Sequence, residues 1–354
     1  MTQIRKFFKK PQEVPVDVFF EKILYDKKFG YYSTCNPFGK NGDFVTAPSI
    51  CSLFGEMIAI WIISYWQSLK KPDIFNLVEL GPGNGILTKK LISTFKKFPN
   101  FYKCTNFYLY EKSIKLKNIQ KKELAGEKVI WLNNFKKINK GRVLFIGNEF
   151  FDAIPVKQFK RMKGKLYEKF IKINKDFSIQ FILKKASVQN AREIRKYKTF
   201  RNSKFFEFPQ FGIAELKKIA DKINLLDGGV MLIDYGYLRQ INRSSLQSVK
   251  NHKKNNIFDH LGAADVTSLV NFKFLRDYFE FKKLKTCKIV TQSTFLKKTG
   301  ILNRAEILSK NMNFREKSKL FLSLQRILDY KFMGEIFKVI FVHNTKIKIP
   351  IGFD

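Results

Sequence analysis

Phe75-Asn76-Leu77-Val78-Glu79-Leu80-Gly81-Pro82-Gly83-Asn84-Gly85-Ile86-Leu87-Thr88-Lys89-Lys90-Leu91 sets three kinds of backbone end to end. The apolar run from Leu77 to Leu80 reads as a buried strand. Gly81, Gly83 and Gly85 read as a tight turn. Ile86, Leu87, Leu91 and Ile92 recur at helical spacing, so the strand feeds a helix through a glycine turn. A glycine turn in that place lets a ligand approach bare backbone and meet the N–H groups that open a helix.

The unit repeats outward from there. Asn106 to Tyr110 reads as a second strand ending in Glu111, and Ser113 to Leu124 as a polar helix. Val129-Ile130-Trp131 makes a short third strand. Val143 to Ile146 makes a fourth, ending in Gly147-Asn148-Glu149. A helix over 212–225 leads to a fifth strand, Gly229 to Asp234. Strands alternating with helices predict an α/β chain built on a doubly wound, mostly parallel sheet. Residues 287–292 and 337–343 are β-rich and are expected to close it as an antiparallel edge pair, with helices between them over 302–330.

The chain falls into four segments. Residues 1–70 are a helical lead-in: Pro15 and Asp17 open a helix that runs toward Gly30, and Pro48 and Ser49 open another, around a polar loop. Residues 71–159 are the first part of the core. Residues 160–208 carry an inserted hairpin, Leu166 to Ile173 and Phe177 to Leu183 about Asn174-Lys175-Asp176. Residues 209–354 complete the core, with a long irregular loop at 238–264 and a helix over 266–279.

The chain has 354 residues, 45% hydrophobic and 15% aromatic, which is a globular composition and not a disordered one. No apolar run reaches the roughly 18 residues a membrane helix needs. Four cysteines without a C-x-x-C pair, and three histidines without metal-ligand spacing, point to a reduced compartment and no metal site. The net charge of +37 would suit a nucleic acid. The lysines, however, are spread along the whole chain, and Lys, Asn, Ile and Phe together are what AT-rich codons produce, so nucleic acid is not the expected partner.

The turn has two readings. A dinucleotide fingerprint is G-x-G-x-x-G, but here the third glycine position holds Ile86. Glu79, at the end of the strand, would repel a pyrophosphate and suits a cationic ligand. E-x-G-x-G-x-G fits S-adenosylmethionine, whose ammonium Glu79 would take up. Glu111 is placed to accept hydrogen bonds from ribose hydroxyls, and Asn133 lies where an adenine edge would be read. Leu80, Gly81, Gly83, Gly85 and Asn148 complete the expected cofactor set. In Asn148-Glu149-Phe150-Phe151-Asp152, two acids bracket two aromatics, and carboxylates there would hold a guanidinium by paired, charge-assisted hydrogen bonds.

With these residues identified, the chain resembles the MidA-like family of S-adenosylmethionine-dependent methyltransferases. The resemblance runs in order through Phe29-Gly30-Tyr31-Tyr32, Gly42-Asp43-Phe44-Val45-Thr46-Ala47-Pro48, Phe54-Gly55-Glu56 and Val78-Glu79-Leu80-Gly81-Pro82-Gly83. It continues through Asn148 to Pro155, Leu232-Ile233-Asp234-Tyr235-Gly236, Ala264-Asp265-Val266-Thr267, Thr291 to Leu296 and Met333 to Lys338. It departs at Ser49, where the family has Glu, at Asn133, where it has Asp, and at Leu261, where it has Pro.

The resemblance implies a Rossmann-like class I methyltransferase that modifies a protein arginine, by analogy a subunit of respiratory complex I. It implies Glu149, Asp152 and Asp43 as catalytic residues, with Tyr235, His260 and Asp265 as further lining. It implies a bacterial cytoplasm, or a mitochondrial matrix in a eukaryote, and leaves the oligomeric state open. The alternatives are an RNA methyltransferase and a non-catalytic complex I assembly factor.

Overall fold

The computed structural model describes residues 3–35, 37, 42, 45–348 and 350–354. The chain divides into two compact units. One comprises residues 1–44, 151–217 and 237–278, and the other residues 45–150, 218–236 and 279–354.

The second unit is the expected sheet. Its strands run in the order Lys285–Thr286, Phe337–His343, Gly228–Tyr237, Arg142–Asn148, Phe75–Leu80, Thr105–Tyr110 and Val129–Leu132. The five from Gly228–Tyr237 to Val129–Leu132 are parallel. Phe337–His343 pairs antiparallel with Gly228–Tyr237, and Val290–Thr291 pairs antiparallel with Phe337–His343, which closes the edge as expected. Every residue of Phe75–Leu80 is buried, as a strand covered on both faces requires. Helix Ser52–Ser68 is apolar on most of its surface and is buried accordingly. Its Trp61 stacks on Tyr65 at 5.6 Å and meets Phe341 edge-on at 4.8 Å.

Strand order places the topological switch between Phe75–Leu80 and Arg142–Asn148. Leu80 is in register with Gly147 across that pair. The glycine turn after Leu80 and the loop after Asn148 therefore leave the sheet side by side, where ligands of open α/β sheets bind.

The first unit holds a five-stranded antiparallel sheet in the order Gln12–Pro15, Lys165–Ile173, Lys157–Met162 and Phe205–Phe208, with Ile179–Lys185 also paired to Lys165–Ile173. The expected hairpin is present, its turn fixed by Asp176, whose carboxylate accepts the Ser178 N–H at 3.0 Å. It is two strands of this larger sheet. Gln12–Pro15 was expected in a helical lead-in and is instead a strand; Pro15 ends it and serves as N-cap of helix Val16–Tyr25. That helix stops at Tyr25, short of Gly30, because the Asp26 carboxylate takes the Lys28 and Phe29 N–H groups at 2.9 Å each.

The expected irregular loop at 238–264 contains a small hairpin, Gln247–Lys250 and Lys253–Asn255. The helix expected over 266–279 begins only at Phe272. Asp265–Thr267 is drawn into pairing with Gln247–Val249, and the Asn271 side chain accepts the Phe274 N–H at 3.1 Å as a helix cap.

Candidate active site

In the second unit the glycine turn is shaped by its neighbours. The Gly81 N–H donates to the Tyr110 carbonyl at 3.0 Å, and the Gly85 N–H to the Pro82 carbonyl at 2.8 Å. Gly85 (φ +86°) caps helix Ile86–Phe95 in the left-handed region. Gly81 (φ +60°) has a second constraint: a Cβ there would lie 2.8 Å from the Phe150 ring. The glycine turn and the loop after the fourth strand thus approach each other through one aromatic ring.

Glu79 is 6% exposed. Its carboxylate accepts a hydrogen bond from the Thr88 hydroxyl, one turn into the following helix. Burial pushes the Glu79 carboxyl up to about 7, against the opposing pull of Thr88. No ion pair to it occurs among the described residues. A buried acid in that condition suits an ammonium ligand.

Glu111 lies just past Thr105–Tyr110 and is also buried. One carboxylate oxygen accepts the Ser113 N–H at 2.8 Å, and the other accepts the Gln120 side-chain N–H at 3.2 Å. Burial raises its pKa, while these donors work the other way. Gln120, fully buried, also donates to the Gly83 carbonyl at 2.8 Å and accepts the Trp131 indole N–H at 2.9 Å. Asn133 is exposed just beyond strand Val129–Leu132 and accepts from Lys117 at 2.7 Å.

Asn148 ends its strand. Its amide N–H donates to Glu149 at 3.1 Å, and its buried side-chain oxygen has no hydrogen-bond partner among the described residues. Glu149 adopts φ +53°, rare for a side chain of its size, and is held there by its N–H donating to the Ile233 carbonyl at 2.9 Å. Tyr235 is half-buried, its ring against Phe337 at 5.5 Å.

In the first unit, Asp152 is buried and its carbonyl accepts the Ser268 N–H at 3.1 Å. The Tyr25 hydroxyl donates to the next residue's carbonyl, Ala153, at 2.8 Å. Tyr25 stacks on Tyr32 at 5.1 Å, and the Tyr32 hydroxyl donates to both oxygens of the buried Asp265, at 3.2 and 3.1 Å. Burial, then the charge of Asp265, holds the Tyr32 phenol well above its ordinary value, with Tyr25 and Asp152 contributing. His260 is exposed in a turn. Asp43 lies outside the described residues.

The structure thus gathers Glu79, Leu80, the glycines, Glu111, Asn148 and Glu149 at the carboxyl ends of neighbouring strands. Thr88 and Gln120 were given no part from sequence, and Trp131, Phe150 and Tyr32 were named there only within a strand or a motif, with no role at the site. One signal was present: Leu116, Gln120 and Leu124 share one helical face, so Gln120 is a polar residue on an apolar stripe.

A family model described as "Putative S-adenosyl-L-methionine-dependent methyltransferase" matches residues 57–290. The chain is 28% identical over 351 residues to "Protein arginine methyltransferase NDUFAF7, mitochondrial" of Homo sapiens, covering 92% of this chain and 78% of that protein. The protein of that name from Danio rerio is 26% identical over 358 residues, with 94% and 84% covered. In fold, the chain resembles the crystal structure of a Burkholderia thailandensis protein bound to S-adenosyl-homocysteine, with a TM-score of 0.80 at 21% identity, covering 97% of this chain and 89% of that one.

Proposed function

Because this chain belongs to the family of S-adenosyl-L-methionine-dependent methyltransferases, we propose that its methyl acceptor is the guanidinium of a protein arginine. The observation that carries this reading is Glu149, a carboxylate fixed in a left-handed conformation at the switch point, one residue from the ring that packs on the cofactor turn. The names of the Homo sapiens and Danio rerio relatives, both protein arginine methyltransferases, support it.

When bound, S-adenosylmethionine supplies an electrophilic methyl group on a sulfonium. In this proposal Glu79 holds the cofactor's ammonium and Glu111 its ribose hydroxyls. Leu80, Gly81, Gly83 and Gly85 present backbone to it, with Asn133 toward the adenine and Asn148 beside the turn. Glu149 aligns the arginine by charge-assisted hydrogen bonds and takes up its proton. Asp152 and Asp43 are assigned to the same acceptor. A guanidinium is protonated in water with a pKa above about 12, so orientation and desolvation beside carboxylates carry most of the catalysis. No metal is assigned a role.

A respiratory complex I subunit is the finer target, resting on the sequence blocks shared with the family. A mitochondrial matrix, or the cytoplasm in a bacterium, is the compartment that goes with it. The relatives are named as mitochondrial, and no helix among the described residues is long and apolar enough to cross a membrane.

Radiolabelled methyl transfer from S-adenosylmethionine into a lysate lacking this protein tests the proposal. The expected label enters a protein band, mass spectrometry places it on arginine, and Gly83→Val abolishes it. Label that ribonuclease removes establishes an RNA methyltransferase instead, the reading that the net charge of +37 favours. Saturable cofactor binding without any label establishes an assembly factor that does not catalyse.

A further inference from the structure

We propose that Gln120 is a positioning residue for the cofactor site, a carboxamide that locks the glycine turn, the ribose acid and the third strand into one geometry. The inference rests on the cofactor roles assigned above and adds a residue to them. Gln120 lies on helix Ile114–Glu123 and is fully buried. Three of its hydrogen-bonding positions are taken by three different parts of the site. Its N–H groups reach the Gly83 carbonyl at 2.8 Å and the Glu111 carboxylate at 3.2 Å. Its oxygen accepts from Trp131, at the end of the third strand, at 2.9 Å.

The arrangement determines which way the amide faces. Trp131 has only a donor to offer, while Gly83 and Glu111 have only acceptors. A single orientation of the carboxamide satisfies all three. Two consequences follow. The Gly83 carbonyl is turned toward Gln120, which fixes the peptide plane after Gly83 and so the direction of the N–H that follows it. The Glu111 oxygen that faces Gln120 keeps a donor that favours its charged form, against burial that disfavours it. A ribose diol needs that charged, acceptor-only carboxylate.

Gln120→Leu keeps the volume and removes both donors and the acceptor. Its affinity for S-adenosyl-homocysteine, measured by calorimetric titration, is expected to fall roughly tenfold at pH 8, the scale of one lost hydrogen bond to a charged group. The loss is expected to grow further as pH falls, because Glu111 then protonates more readily. A residue that merely filled space would lower affinity by the same factor at every pH. Trp131→Phe leaves Gln120 in place but frees its oxygen, and is expected to weaken binding in the same direction by a smaller factor. It keeps the proposal testable if Gln120→Leu does not fold.

Affinity and pH profile unchanged in both variants overturn the proposal. Glu111→Gln separates it from the ribose assignment. If Glu111→Gln binds S-adenosyl-homocysteine as tightly as the unaltered protein, the ribose role of Glu111 fails, whatever Gln120 does.

Discussion

The buried acids of the two units have opposite company. In the first unit Asp17 and Glu168 face the Lys157 ammonium at 3.1 and 2.8 Å, and Asn190 donates to the remaining Glu168 oxygen at 2.7 Å. Burial opposes the charge on Lys157, and the two carboxylates outweigh it and hold the ammonium above its ordinary value. In the second unit Glu79 is equally enclosed and has a hydroxyl for company. A buried charge that brings its own counter-ion is architecture. A buried carboxyl without one, as Glu79 is among the described residues, is a candidate for a cationic ligand, the role proposed above.

The comparison breaks first at Lys157. Lys157→Met leaves two carboxylates buried without a cation, and chemical denaturation should show a loss of about 3–5 kcal/mol. An unchanged midpoint would mean the triad is not structural.

Glu79→Gln should act in the other direction on stability. A carboxyl moved from 4.5 to about 7 keeps, in the folded chain, a proton that the unfolded chain has released. Its contribution is intact below the unfolded value and is lost as pH rises through the folded one, a fall of about 3 kcal/mol over that window. Glu79→Gln should remove that slope and be the more stable protein at pH 8, while S-adenosylmethionine binds it at least tenfold more weakly. In the unaltered protein, cofactor affinity should rise with pH up to about 7 and level off above it, since the ammonium needs the ionised acid. Flat titrations across that range would place the cofactor ammonium elsewhere.

Asp265 is an intermediate case, a buried acid whose partners include a phenol. Tyr32→Phe should cost about 1.5 kcal/mol, the worth of one hydrogen bond to a charged group. If Asp265 serves the acceptor, the KM for the protein substrate rises in this variant while cofactor affinity holds; a change in cofactor affinity alone would move Asp265 out of that role.

What was legible in the sequence follows the range of the forces involved. The parallel sheet could be read because each strand is an apolar run followed at once by its turn, and Glu79 and Glu111 announce themselves by standing at strand ends. The five-stranded sheet could not. Gln12–Pro15 is four residues long and finds its partner at Phe170–Ile173, far along the chain, so no local period betrays it. The helix expected over 266–279 failed for a related reason: the apolar pattern begins before the helix does, because Asp265–Thr267 serves a strand first. Gln120 and Thr88 needed the orientation of their helices, which spacing suggests and only packing fixes. Asp152 and Glu149, three positions apart in the sequence, belong to different compact units, a boundary that no local pattern marks.

The contact between Gly81 and the Phe150 ring has a consequence for how this protein can change over generations. The two positions are not free to drift separately. A side chain at position 81 would need a smaller residue at 150 and would still be strained at φ +60°, and a smaller residue at 150 removes the ring packed against the glycine turn. Either order of substitution therefore passes through an intermediate in which the turn is strained or has lost the ring packed against it. The glycine turn and the loop after the fourth strand inherit each other's history through a single ring.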